Sequence, residues 1–265
     1  MRASRLAPFC ALVATLAATV LAILTSRAGD WDHPLIVVLV GALALIADRY
    51  VVRSPTGTIV VATHPVFVLG MMTLGPLPML LIGQAVIFAN RPTTKRVLVG
   101  NAAVYAVFLV VGSLLARTMR QSLGVPEVSA WFSLAVIALF LVTWLLNVVL
   151  IAAYLWWLQG VRIDRELTAS TWPLISTNVT LACVTAVLVF LVATVGAAVI
   201  ALSGVILIAY SRLQRDLLQA ERHAEAARQA ATDAEAQRDG LVRIILDFLD
   251  ARDHMTARHS AIRRV

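Results

Sequence analysis

Charge is what this chain of 265 residues has least of: 14% of its residues are Asp, Glu, Lys or Arg, against 60% hydrophobic, and its mean hydropathy is +0.86. A soluble domain of that size needs a charged, mixed surface, so a water-soluble globule is excluded. Lysine is nearly missing, Lys95 being the only one. We read the reliance on arginine as compositional bias without chemical meaning. Only two cysteines are present, Cys10 and Cys183, both inside apolar runs, where a thiol serves as a small buried hydrophobe rather than half of a disulfide. Ionisable residues are almost missing from those runs, and no inverted repeat relates the two halves. Both absences argue against a pump or ion-coupled transporter.

What charge there is falls unevenly. Residues 211–265 hold 10 of the 22 basic and 9 of the 15 acidic residues. The tail is therefore close to neutral, and most of the net charge of +7 sits in loops between apolar runs. That pattern reports topology rather than nucleic-acid binding. It divides the chain into a membrane block, 1–210, a helical linker, 211–240, and a short terminal segment, 241–265. The expected fold class is all-α: a polytopic membrane helix bundle of six to eight spans followed by a long cytoplasmic linker helix.

Charges and breakers delimit the spans. The first covers about Leu6 to Leu24; its basic start and apolar stretch resemble a signal peptide, but the later apolar runs favour an uncleaved first helix. The second covers about Pro34 to Ile46, ending at Asp48 and Arg49. The uncharged stretch from Thr58 to Ala89 would be about 48 Å long as one helix, too long for a core of about 30 Å. Gly75, Pro76 and Pro78 break it into Thr58 to Leu74 and Leu77 to Phe88, as two short spans or a re-entrant hairpin. Val97 to Ala116 and Ala130 to Leu158 follow. The stretch from Trp172 to Tyr210 is broken near Gly196, into Pro173 to Ala193 and Ala197 to Tyr210.

Eight segments place both termini on one side. With the N-terminus cytoplasmic, inner loops collect Arg2, Arg5, Arg49, Arg53, Arg91, Lys95, Arg96, Arg162 and Arg165, and outer loops only Arg27, Arg117 and Arg120. This nine-to-three ratio obeys the positive-inside rule. Turning one short pair into a re-entrant hairpin removes two crossings and leaves the orientation unchanged.

One ionisable residue stands inside a predicted span: His64, followed by Pro65. It is a candidate proton or metal sensor, weighed against a hydrogen-bonded packing group beside a helix-bending proline. Gln84, Asn90, Asn101, Asn147, Asn178 and Thr180 are expected to face other helices, and Trp131, Trp144, Trp156, Trp157 and Trp172 to anchor the membrane interfaces. The sensed ligand is not legible; membrane lipid is the one surrounding partner implied.

Beyond Tyr210 the composition turns to Ala, Glu, Gln and Arg, all strong helix formers. Leu213, Leu217, Ala220, Ala224, Ala227, Ala231, Ala234, Arg238, Leu241, Ile245 and Phe248 follow one another at spacings of 4 and 3. This is a heptad seam, narrow because alanine buries little area, and it suits a weak parallel homodimer. The competing reading is an amphipathic helix packing within its own chain. Gly240 is read as a joint.

The stretch from Leu249 to Ser260, LDARDHMTARHS, resembles the opening of the HD and HD-GYP metal-dependent phosphohydrolase domains, which carry a pattern like A-x-[ED]-A-R-D-x-Y-T-x-x-H-S. The resemblance implies that His259 matches an early metal-site residue, and that a complete domain would bind Mn or Fe and hydrolyse a nucleotide second messenger such as cyclic di-GMP. The layout of a multi-span region, a linker helix and this motif is similar to bacterial inner-membrane members. Met255 departs from the usual Tyr, and the His-Asp pair that names the family is not among these residues. The chain is therefore expected to be a truncated member: a sensory module without a cofactor or catalytic residues of its own, inactive as a phosphodiesterase. The alternatives are a small transporter or permease-like protein with an oligomerisation helix, and a dimerising membrane regulator.

Overall fold

The computed structural model describes residues 3–49, 51–53, 59–61, 63–90, 94–124, 129–159 and 175–262. Its described residues form helices α1 (Ala3–Thr25), α2 (Pro34–Arg49), α3 (Thr63–Thr73), α4 (Pro76–Asn90), α5 (Lys95–Leu123), α6 (Ala130–Gln159), α7 (Ile175–Val195) and α8 (Ala198–Ile262). A 3-10 turn, Ala28–Trp31, links α1 to α2. Among the described residues four segments are long and apolar enough to cross a membrane: Leu6–Thr25, Lys95–Ser122, Ala130–Leu158 and Ile175–Val195. The chain divides into two units, Met1–Leu213 and Gln214–Val265.

The expected all-α class needs one amendment. Between α2 and α3 lies an antiparallel ribbon of β1 (Val51–Arg53) and β2 (Ile59–Val61), with Val51 opposite Val61 and Arg53 opposite Ile59. The sequence reading starts a helix at Thr58; instead the β-branched run Ile59-Val60-Val61 pairs as a strand, and helix α3 begins at Thr63. Pro65 then falls in the first helical turn, where its missing N–H costs nothing.

The two expected breaks lie where backbone chemistry places them. Helix α3 ends at Thr73, and α4 restarts with Pro76 at its first position, the site where proline's fixed φ is pre-organised. Gly196 joins α7 to α8 with φ +96°, and its amide still bonds the Val192 carbonyl at 3.0 Å, the geometry of a left-handed C-terminal cap. Gly124, with φ +52°, closes α5 in the same way, after two turns that the expected span to Ala116 leaves out. Gly240, expected to be a joint, sits within α8 without interrupting it.

In the first unit size is inverted relative to a soluble helix. On α1 the buried residues are Ala7, Ala11, Ala18 and Ala22, whereas Phe9, Leu12, Leu16 and Leu24 face outward. Small residues let helix backbones approach where lipid tails offer no competing hydrophobic drive, and large ones meet the tails. At the contact of α5 with α6 the same logic leaves no room beside Gly100, where a Cβ would overlap the Tyr154 ring. The core centres on α3, every residue of which from Thr63 to Met72 is buried. Phe67, Phe108 and Phe140 are its largest fully enclosed side chains.

Several expectations shift with the packing. Trp131 and Trp156 are exposed near opposite ends of α6, about 38 Å apart along its axis, as interfacial anchors are. Trp144 is no anchor; it lies mid-helix against the core. Cys10 and Cys183 are free, and Cys183 is exposed rather than buried. Arg2, Arg91, Arg162, Arg165, Trp172 and Pro173 lie outside the described residues.

Candidate functional site

Of the expected site residues, His64 has the most specific surroundings. It stands in the first turn of α3, buried, with its ring edge-on to Phe140 at 4.7 Å between centroids and stacked on Phe108 at 5.9 Å. Its Nε2 lies 3.3 Å from the Phe140 carbonyl and 3.2 Å from Thr143 Oγ1. A carbonyl only accepts, so Nε2 carries the hydrogen in the neutral ring. The Thr143 hydroxyl donates to the Leu139 carbonyl at 2.8 Å, which leaves its oxygen free to accept from the same Nε2–H.

Next to this contact lies a second polar pair. The Tyr105 hydroxyl on α5 hydrogen-bonds the Thr63 side chain and feels the charge of Asp48 at the end of α2. Asp48 is buried, and that burial pushes its carboxyl up to about 6 against the opposing pull of the Arg49 guanidinium. Tyr105 also packs edge-on against Phe67 and Phe108, which ties the pair to the rings around His64. Thr63, Tyr105 and Thr143 are absent from the sequence reading, and Asp48 enters it only as a charge that ends the second span. Asp48 carried the available signal, a lone acid at the end of an apolar run, but such a residue is ordinarily a span boundary.

A different polar group gathers where α1, α3 and α5 end. Arg117 donates to Asp30 at 2.6 Å and to the Thr25 carbonyl at 2.6 Å, and Arg120 donates to the Met72 carbonyl at 2.8 Å. Both carbonyls belong to final helical turns, so each guanidinium satisfies an orphan acceptor at the negative end of a helix dipole. Asp30 also accepts the Arg27 amide at 3.0 Å. No Cβ fits at Gly75, because it would overlap the Asp30 carboxyl.

The neutral polar residues divide. Gln84 crosses from α4 to donate to the Ala102 carbonyl at 3.0 Å, and Asn178 is buried. Asn101 is half-buried. Asn147 has a buried side-chain oxygen without a partner among the described residues. Thr180 does not face another helix: it is exposed and bonds the Ser176 carbonyl of its own helix at 2.9 Å, because a threonine can satisfy its hydroxyl one turn back. The Asn90 side chain lies outside the described residues.

The seam residues Leu213, Leu217, Ala220, Ala224, Ala227, Ala231, Ala234 and Leu241 are all helical and exposed, as is Arg238. Ile245, Phe248 and His259 are placed on the backbone of α8, but their side chains lie outside the described residues. Among the described residues no group of three or more His, Cys, Asp or Glu could hold a metal ion. No protein-family description, no curated protein and no solved structure matches this chain.

Proposed function

We propose that the chain is the membrane-embedded sensory module of an HD or HD-GYP-like phosphohydrolase system, a signalling rather than a catalytic part. In this reading the bundle responds to a stimulus around His64, and α8 passes the response on as a paired cytoplasmic helix. The observation that carries the proposal is the exposed row from Leu213 to Leu241, repeating at 4 and 3 with an HD-like opening beyond it. Such a row is solvated at a cost unless a second helix covers it, and copies anchored in one membrane emerge side by side, which favours parallel pairing.

The module sits in a bacterial inner membrane with both termini cytoplasmic. Because α3 has only eleven residues, the pair of α3 and α4 is read as re-entrant, which gives six crossings rather than eight. Arg117 and Arg120, two of only three outer basic residues, are engaged with helix ends and an acid. The nine-to-three distribution of basic residues supports this orientation. Hydrolysis of a cyclic dinucleotide with Mn or Fe belongs to a complete catalytic domain; His259 is the one residue of this chain that matches its metal site.

The test is disulfide cross-linking in membrane vesicles, in a background where Cys10 and Cys183 are replaced by Ala. Leu217→Cys and Ala224→Cys should each cross-link between copies, and Ala226→Cys, on the opposite side of the helix, should not. Absence of cross-links at both seam positions would overturn the dimeric signalling reading and favour the transporter alternative.

A further inference from the structure

We propose that His64 is a proton-operated latch between α3 and α6, closed when the ring is neutral and released when it gains a second proton. This deepens the sensory reading above by naming the stimulus as the proton. The Nε2–H is committed to the Phe140 carbonyl and Thr143 oxygen, so the added proton goes to Nδ1 and makes the ring a cation.

That cation has nothing adequate to meet in the closed arrangement. Helix α3 packs against α2, α4, α5, α6 and α7. From α2 the charged groups are Asp48 and its neighbour Arg49; α5 supplies Tyr105, whose hydroxyl is taken by Thr63, and begins with the exposed Lys95 and Arg96, cations like the charged ring. Helix α4 contains no ionisable residue, α6 only Tyr154, which bonds the Arg96 carbonyl at 2.6 Å, and α7 only the exposed Cys183. Arg117 and Arg120 are bound at the far end of α5. Among the described residues no carboxylate is hydrogen-bonded to the ring, and two phenyl rings, one carbonyl and one hydroxyl oxygen do not repay the desolvation of a full charge. Protonation therefore favours an arrangement in which α3 and α6 part and the ring reaches water, a population shift driven by acid. A metal as the stimulus is disfavoured, because among the described residues no cluster supplies three ligands.

The latch has a packed route to α8. Helix α6 runs against α7, which joins α8 through Gly196. The first turns of α8 are held in the bundle by buried Ile200 and Ser203, and by Gly204, where a Cβ would stand 2.9 Å from Leu43 of α2. Helix α3 packs against α2 and α7 as well as α6, so separation of α6 from α3 reaches these turns through α7, which they continue, and through α2, which they touch.

Trp144 follows Thr143 directly and lies against the core, so it reports on this contact. The experiment uses the full chain in lipid nanodiscs, with Trp31, Trp131, Trp156, Trp157 and Trp172 replaced by Phe, and follows Trp144 fluorescence from about pH 8 to about pH 4, the span in which a histidine charge is switched. A single-proton transition is expected, lost in His64→Gln and kept in Asp48→Asn. No transition, or one that persists in His64→Gln, overturns the latch. Should His64→Gln fail to fold, Thr143→Val replaces it: loss of one of the two Nε2 acceptors should move the midpoint, and an unmoved midpoint overturns the proposal. Cross-linking along α8 is read separately, so a transition without cross-links counts against the dimer alone, and cross-links without a transition against the latch alone.

Discussion

Arg117 and Asp30 are held 2.6 Å apart across three elements, the end of α5, the 3-10 turn and, through the Thr25 carbonyl, the end of α1. Both side chains are largely shielded, which separates this pair from the exposed Arg238–Asp239 contact on α8. Loss of either partner strands the other beside a helix end. Arg117→Leu and Asp30→Ala should each cost about 1–3 kcal/mol, and together less than the sum, because they remove one shared interaction. Equilibrium unfolding of the four proteins of that cycle in detergent measures the coupling; strictly additive losses would show that the pair contributes nothing.

Gly75→Ala should phenocopy part of that loss. Its Cβ would occupy the space of the Asp30 carboxyl, so the acid must swing away from Arg117. The effect should shrink in the Asp30→Ala background, where the clash is gone. An equal penalty in both backgrounds would place the cause elsewhere.

The pH dependence of stability should carry the mark of Asp48. Its folded-state value of about 6 lies above the ordinary 3.8, so the fold favours the protonated acid. The stabilisation from that preference is complete below about pH 4 and is lost as pH rises through 6. Asp48→Asn keeps the neutral form at every pH. Thermal melts between pH 4 and 7.5 should slope downward for the wild type over this window and run flatter for the variant; parallel curves would refute the assignment.

Two glycines should respond to alanine with opposite signs. Around both Gly196 and Gly240 an added Cβ meets nothing, so only the backbone decides. At Gly196, φ +96° penalises any L side chain, and Gly196→Ala should destabilise by about 1–2 kcal/mol. Gly240 is helical, and Gly240→Ala should gain about 1 kcal/mol of helix stability, read by circular dichroism melts of the full chain.

What could be read from the residues alone follows from how local the cause is. The interruptions at Gly75-Pro76 and Gly196 were legible because proline and glycine act on their own backbone. So was the apolar length of α1, α5, α6 and α7. The pairing of β1 with β2 was not, because three-residue strands carry too little alternation to stand out from the apolar runs beside them. His64 was singled out as an isolated ionisable group, yet Phe140 and Thr143 lie 76 and 79 positions away, and nothing in a one-dimensional pattern links them. Thr180 and Trp144 depart from expectation for the converse reason: helix azimuth, not residue type, decides which way each side chain faces.

The enclosure of α3 from Thr63 to Met72 bears on how the chain is made. Its eleven residues span about 16 Å, too short to cross a bilayer as an independent helix, and it has no outward side with which to greet lipid. The acceptors for His64 are translated only when α6 emerges. Until then the ring has no acceptor on that side, so the nascent chain holds an unfinished interior through the synthesis of α4 and α5. The wall around α3 is complete only when α6 and then α7 have been made, since both pack against it.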